Sequence, residues 1–121
     1  MTASKNRILL IMDRDYTVNA TFLRLIYQPL GVQGMKIHNR SLSQSEYINI
    51  LCWSPHPDNI DINSYRIFSI IDSARSLVAE VSPSSREYQH RHVPKNISYI
   101  YEIRAVNREG REGLPARVTI Q

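Results

Sequence analysis

The sequence predicts an all-β fold: a sandwich of seven strands in two antiparallel sheets, with an extra β-hairpin at the N-terminus. Three observations lead there. In YIYEIRAV, residues 99 to 106, Tyr99, Tyr101, Ile103 and Ala105 alternate with Ile100, Glu102, Arg104 and Val106, the period of two that sends successive side chains to opposite faces of a pleated strand. No segment holds apolar residues three and four apart over three turns, as an amphipathic helix requires. Prolines at 29, 55, 57, 83, 94 and 115 and turn clusters such as SPHPDN and SPSS interrupt the chain at the short intervals of an antiparallel sandwich.

Extended segments fall near 6–12, 16–24, 34–40, 46–53, 64–71, 76–81, 86–92, 98–106 and 115–120. The first two form a hairpin around the polar turn DRD. TFLRLIYQ is the one stretch that also suits a short helix, and Thr21, Phe22 and Ile26 weigh against it. YINILCWS and SYRIF carry aromatic and β-branched residues suited to a half-buried pleated surface. On strand 98–106 the face of Tyr99, Tyr101, Ile103 and Ala105 is expected to be the buried one. The polar run NREGREG then supplies Gly110 and Gly113, residues that tolerate positive φ, before ARVTI resumes an extended pattern.

A chain of 121 residues with 42% hydrophobic content supports one core, or one domain with an appendage. The longest apolar run, RILLIM, is far short of the roughly 20 residues of a membrane helix, so no membrane insertion is expected. MTASKNR has no apolar signal-peptide region, which implies either a cytosolic protein or an excised fragment with an added start. Net charge is +4, yet the basic residues are interspersed with acidic ones and form no stripe, so no nucleic-acid partner is expected. The single cysteine, Cys52, excludes an internal disulfide and, beside Trp53, reads as a small structural residue.

From about residue 30 onward the chain resembles a fibronectin type III domain. Trp53 stands two residues before Pro55 at the end of YINILCWSP, Tyr65 and Ile67 alternate in SYRIF, and Val93, Tyr99 and AVNREG follow in the family's order. The resemblance covers about 90 residues and implies an immunoglobulin-like sandwich over 28–121. It also implies that Tyr99 folds its hydroxyl back onto the preceding loop as a tyrosine corner. Two positions depart from the pattern. Asn49 stands where the family has an aliphatic residue four before the tryptophan, for which a bulge shifting the phase is one explanation; His90 stands where an aliphatic side chain normally faces the core. Residues 1–27 look like a fragment of a different module plus a linker around YQPLG. NRILLIMDRDYTVNATF resembles the closing hairpin of a bacterial repeat of the internalin B-repeat type, with Leu10 to Met12, Asp13 to Asp15, and Val18, Ala20 and Phe22 in matching places. That likeness implies a secreted or surface-anchored bacterial parent. An isolated two-stranded ribbon is marginal in water, so residues 6–24 are expected to lie on the sandwich or to pair with a second copy of the chain.

Candidate chemistry is sparse. His90 and His92, two apart on one strand, would share a face, and His56 from SPHPDN is the third member of a candidate metal trio; packing is the expected role instead. Asp58 and Asp61 cluster oxygen ligands without the glycine and glutamate of a calcium loop. Glycine-rich phosphate loops and a GxSxG elbow are absent. No catalytic residue, metal or cofactor is expected. The structural core is expected to comprise Leu51, Trp53, Tyr65, Ile67, Tyr88, Tyr99, Tyr101, Ile103 and Val118. Arg108, Glu109, Arg111 and Glu112, in the last hairpin loop, form the candidate interaction loop, with a solvated hairpin as the plain alternative. Asn19, Asn39 and Asn96 open Asn-x-Ser/Thr sequons, which would carry glycans only in a secreted eukaryotic chain.

The expected function is a non-catalytic module of a larger secreted or surface-anchored bacterial protein, serving as a spacer or as an adhesion and protein-interaction unit. Neighbouring domains of the same chain, a protein or a polysaccharide are the expected partners. The alternative is a carbohydrate-binding accessory domain of a secreted hydrolase, with Tyr16, Tyr27 and Tyr47 as exposed aromatic candidates.

Overall fold

The computed structural model describes residues 25–41 and 44–121. Seven strands follow in order: β1 Leu30–Arg40, β2 Ser45–Ser54, β3 Ile62–Ile71, β4 Ala74–Val81, β5 Glu87–Val93, β6 Tyr99–Asn107 and β7 Ala116–Ile120. They form a three-stranded sheet, β1-β2-β5, and a four-stranded sheet, β4-β3-β6-β7, with every pairing antiparallel. No described residue is helical. The hairpin expected over 6–24, with Tyr16 and Asn19, lies outside the described residues.

Each of the seven strands expected between 34 and 120 forms. β1 starts earlier than the sequence suggested, because Gly31 at φ 59° and a register shift between Leu30 and Gln33 let pairing with β2 continue to Ser54. β3 and β4 are joined by Asp72 and Ser73, both at positive φ (50° and 68°), the two-residue turn whose twist matches a hairpin.

The sheets meet over Leu51, Trp53, Tyr65, Ile67, Tyr99, Tyr101, Ile103 and Ala105, all buried. Trp53 is 3% exposed and its ring lies 5.7 Å from that of Tyr65. Tyr88 and Val118 sit at the margin of this core and are only partly buried. They belong to β5 and β7, edge strands that lack a neighbour on one side. The outer face of β6 also buries Glu102 and Val106.

Three local details come from the structure. Gly113 does not adopt positive φ as Gly110 does at 83°. Its need is for space, since an added Cβ would stand 2.6 Å from the Ile26 carbonyl oxygen. Asn49 keeps the phase of β2: it is fully buried on the core side with Leu51 and Trp53, and the bulge lies opposite on β5, where the register against Tyr47 and Asn49 shifts. Among the described residues the Tyr99 hydroxyl makes no hydrogen bond to the preceding loop. The carbonyls of Pro94, Lys95 and Ile97 instead accept from Lys36 Nζ at 3.3, 3.0 and 3.1 Å, while the Tyr99 ring stacks on Tyr101 at 5.5 Å.

Candidate functional site

A recess lies at the pole where the β2–β3 and β6–β7 loops meet the segment leading into β1. Each wall is held by its own contacts. Tyr27 stacks on His56 with ring centroids 4.5 Å apart, and the Asn59 side chain grips the Tyr27 backbone twice, accepting from N at 2.8 Å and donating to O at 3.0 Å. The β6–β7 loop turns around Asn107, whose side-chain oxygen accepts from the amides of Glu109 and Arg111 at 3.1 and 2.8 Å. Leu114 N donates to Ile26 O at 3.0 Å and closes the third side. The cleft, open to solvent, measures about 870 Å³ and is bordered by Leu25, Ile60, Asp61, Arg108 and Glu109.

The four residues of the candidate interaction loop separate here. Arg108 and Glu109 stand exposed at the tip, Arg108 within 3.6 Å of Asp61. Arg111 is half-buried. Glu112 is not a tip residue: it bridges to Val106 and turns onto the outer face of the four-stranded sheet, where it accepts from Arg66 at 2.9 Å and Arg75 at 3.3 Å. Charges of both signs, Arg108 and Glu109 with Asp61, border the cleft.

Glu112 belongs to an ionic cluster for which the strand alternation held a signal, Glu102 and Arg104 both falling on the face opposite the tyrosines. Glu102, its side chain 1% exposed, accepts from Arg104 Nε and Arg117 Nε, each at 2.9 Å, with Arg75 Nε at 3.7 Å. Arg66 joins Glu112 to Glu80, and Arg75 lies 3.8 Å over the Phe68 ring. Burial pushes the Glu102 carboxyl up, but the Arg104 and Arg117 hydrogen bonds outweigh it and hold the group below the usual carboxylate value. Strands β3, β4, β6 and β7 contribute residues from distant parts of the chain, so sequence spacing alone does not reveal the cluster. Arg104 Nη1 also donates to Gly113 O at 2.9 Å, which anchors the base of the β6–β7 loop to this face.

The histidines do not converge. His92, at φ 58° in the bulge, lies 3.7 Å from Glu46, whereas His90 bonds Tyr101 between the sheets and His56 sits on Tyr27. The bulge adds a residue between His90 and the next pairing, so the two no longer share a face. Among the described residues no cluster of three metal-ligating side chains occurs. Tyr47 is also no open platform, since His38 stacks on it at 4.3 Å and it packs against the core. Asp58 and Asp61 border the cleft without forming a ligand group.

No protein-family model matches the chain, and no curated protein matches it. Solved structures do. An Fn3-like protein from Clostridium thermocellum superposes at a TM-score of 0.60 with 23% identity, over 81% of this chain and 94% of that one. Pectate lyase Pel3 from Pectobacterium carotovorum matches at 0.52 and 14% identity, over 73% of this chain but 25% of the enzyme. A beta-1,2-glucanase from Parabacteroides distasonis matches at 0.54 and 18% identity, over 79% of this chain and 12% of the enzyme. The chain thus has a fibronectin type III-like β-sandwich fold. In both enzymes the same fold occupies a small part of a longer chain.

Proposed function

We propose that this chain is a non-catalytic Fn3-like module of a larger secreted or surface-anchored bacterial protein, acting as a spacer and as a contact unit for neighbouring domains or another protein. One observation carries the reading. Ile26 is tied to Leu114 at the Asn107 end of β6, whereas Ile120 pairs with Tyr99 at its other end. The module therefore takes its chain in at one pole and passes it on at the other, about 30 Å away for a nine-residue strand. That geometry suits domains strung in line. Two copies of residues 25–121 joined head to tail should scatter X-rays as an elongated particle, longer than one copy by about that distance. A compact particle would sink the spacer role.

A second reading has its own support: in a pectate lyase and a glucanase the matching part is a minor share of the chain, as for an accessory domain that helps a hydrolase hold polysaccharide. Its recess would be this cleft, which has Tyr27 but not Tyr47 in its wall, and Arg108 is an exposed cation there. Calorimetric titration with polygalacturonate and with β-1,2-linked glucan separates the two. Heat that disappears in Arg108→Ala favours the accessory role; silence with both sugars favours the spacer. Homodimerisation through residues 6–24 is a further proposal, and comparing the sedimentation of the full chain with that of residues 25–121 tests it.

A further inference from the structure

Asn49 and His90, the two departures from the fibronectin pattern, are bound to one hydroxyl. Tyr101 Oη lies 2.8 Å from Asn49 Nδ2 and 2.7 Å from His90 Nδ1. The amide nitrogen has only hydrogens to offer, so it donates to Oη, and the phenolic proton is then directed at Nδ1. That arrangement requires an unprotonated Nδ1 and places the ring's proton on Nε2. Asn49 is fully buried, Tyr101 is fully buried, and the His90 ring meets the edges of Tyr99 and Tyr101 at 5.5 and 5.8 Å. Three polar groups from three strands, two in one sheet and one in the other, thus form a single connection across the core.

We propose that this triad is an acid-released latch: neutral His90 fastens the edge strand β5 to β6 of the opposite sheet, and protonation of the imidazole frees β5 while the four-stranded sheet stays folded. β5 is weakly held otherwise. It hydrogen-bonds to β2 alone, its ladder is broken by the bulge at Arg91 and His92, and Val93 is its one fully buried residue, with Tyr88 and His90 half-buried. An imidazolium would turn Nδ1 into a donor aimed at an oxygen that already receives the Asn49 amide, and the phenolic proton would lose its acceptor.

The surrounding charges offer the imidazolium no relief. From β6 it faces Tyr99 and Tyr101, and on β5 itself Tyr88. From β2 it faces Asn49 and, one pair along, Tyr47. From β1 the same face carries His38 and Lys36, the latter about 10 Å away across two strand spacings and held on the loop carbonyls before β6. β7 offers Val118, and the loop contributes Lys95. No carboxylate among the described residues pairs with His90; Glu46 serves Arg91 and His92 instead. Burial holds the His90 ring below its ordinary value and pushes the Tyr101 phenol up to about 12. Between the folded value and the unfolded value of about 6.5 the unfolded chain binds more protons, so stability from this group is complete above that range and is lost as pH falls through it.

Amide hydrogen exchange and histidine NMR titration of the intact chain test the latch at about pH 7.5 and about pH 5. His90 should titrate below the ordinary histidine value. After correction for intrinsic rates, opening at Glu87–Val93 should rise about tenfold per pH unit within the titration window, with β3 and β6 protected throughout. His90→Gln should abolish the rise, and His92→Gln should leave it intact. If His90→Gln does not fold, Tyr101→Phe removes the hydroxyl and should raise the His90 titration point. An ordinary titration point, equal loss of protection in all strands, or a pH response that survives His90→Gln or leaves the His90 titration unmoved in Tyr101→Phe would overturn the proposal.

Discussion

Replacing Glu102 with glutamine removes one negative charge and almost no volume from the outer face of the four-stranded sheet. The carboxylate accepts two hydrogen bonds at 2.9 Å from Arg104 and Arg117 and is 1% exposed, with Arg75 at 3.7 Å. A hydrogen bond to a charged partner contributes about 1.5–3 kcal/mol and a neutral one about 0.5–1.5. The two arginines bond different carboxylate oxygens, and glutamine keeps only one acceptor, so one bond is weakened by about 1 kcal/mol and the other is lost. The sum is roughly 2–3 kcal/mol for the pair. The arginines are themselves part-exposed, which argues against the larger figures for a sealed ion pair. For a domain of this size that corresponds to a fall in melting temperature of about 10 °C. Circular dichroism melts at low and high salt provide the measurement, and added salt should narrow the gap by screening the leftover guanidinium charges. Acid titration gives a second signature. Glu102 is held below its ordinary value, so its stabilisation is present above the unfolded value of about 4.3 and lost as pH falls through the folded one. Glu102→Gln lacks this share of the acid limb. A melting temperature within about 2 °C of wild type would refute the view that the cluster stabilises the fold.

Trp53→Ala should cost about 3–5 kcal/mol, enough to unfold most of a marginal domain; a near-ultraviolet spectrum retained at room temperature would contradict the central place of this ring. Gly113→Ala drives a methyl group toward the Ile26 carbonyl at 2.6 Å. A loss of about 1–3 kcal/mol in denaturant unfolding is expected, with faster amide exchange at Leu114, which donates to that carbonyl.

Strand placement was legible because alternation is a local property. A residue's face follows from its neighbours' identities, so β2, β3 and β6 could be read with their inward tyrosines and Trp53. Turn chemistry was partly legible: Gly110 adopts the positive φ that glycine tolerates, but the demand on Gly113 comes from Ile26, more than eighty positions away in the chain. Tyr88 appeared equivalent to Tyr99 in pattern, yet an edge strand buries less than a central one. The tyrosine corner was inferred from likeness, and the loop carbonyls turned out to bind Lys36, a residue no local signal connects with them. Within the candidate loop, spacing could not separate Arg108 and Glu109 at the tip from Glu112, which is drawn off by Arg66 and Arg75.

By itself the sequence determined the class of fold, the placement of the strands and which side of β2, β3 and β6 faces inward, since a period of two and its punctuation are written along the chain. Tertiary structure alone decided which charges meet and which polar groups become buried. Glu102 sits among arginines from three other positions, and Asn49 and His90 share the Tyr101 hydroxyl, because strands distant in sequence lie a few ångströms apart once two sheets close. Their energies depend on that proximity and on the exclusion of water, neither of which any local pattern encodes.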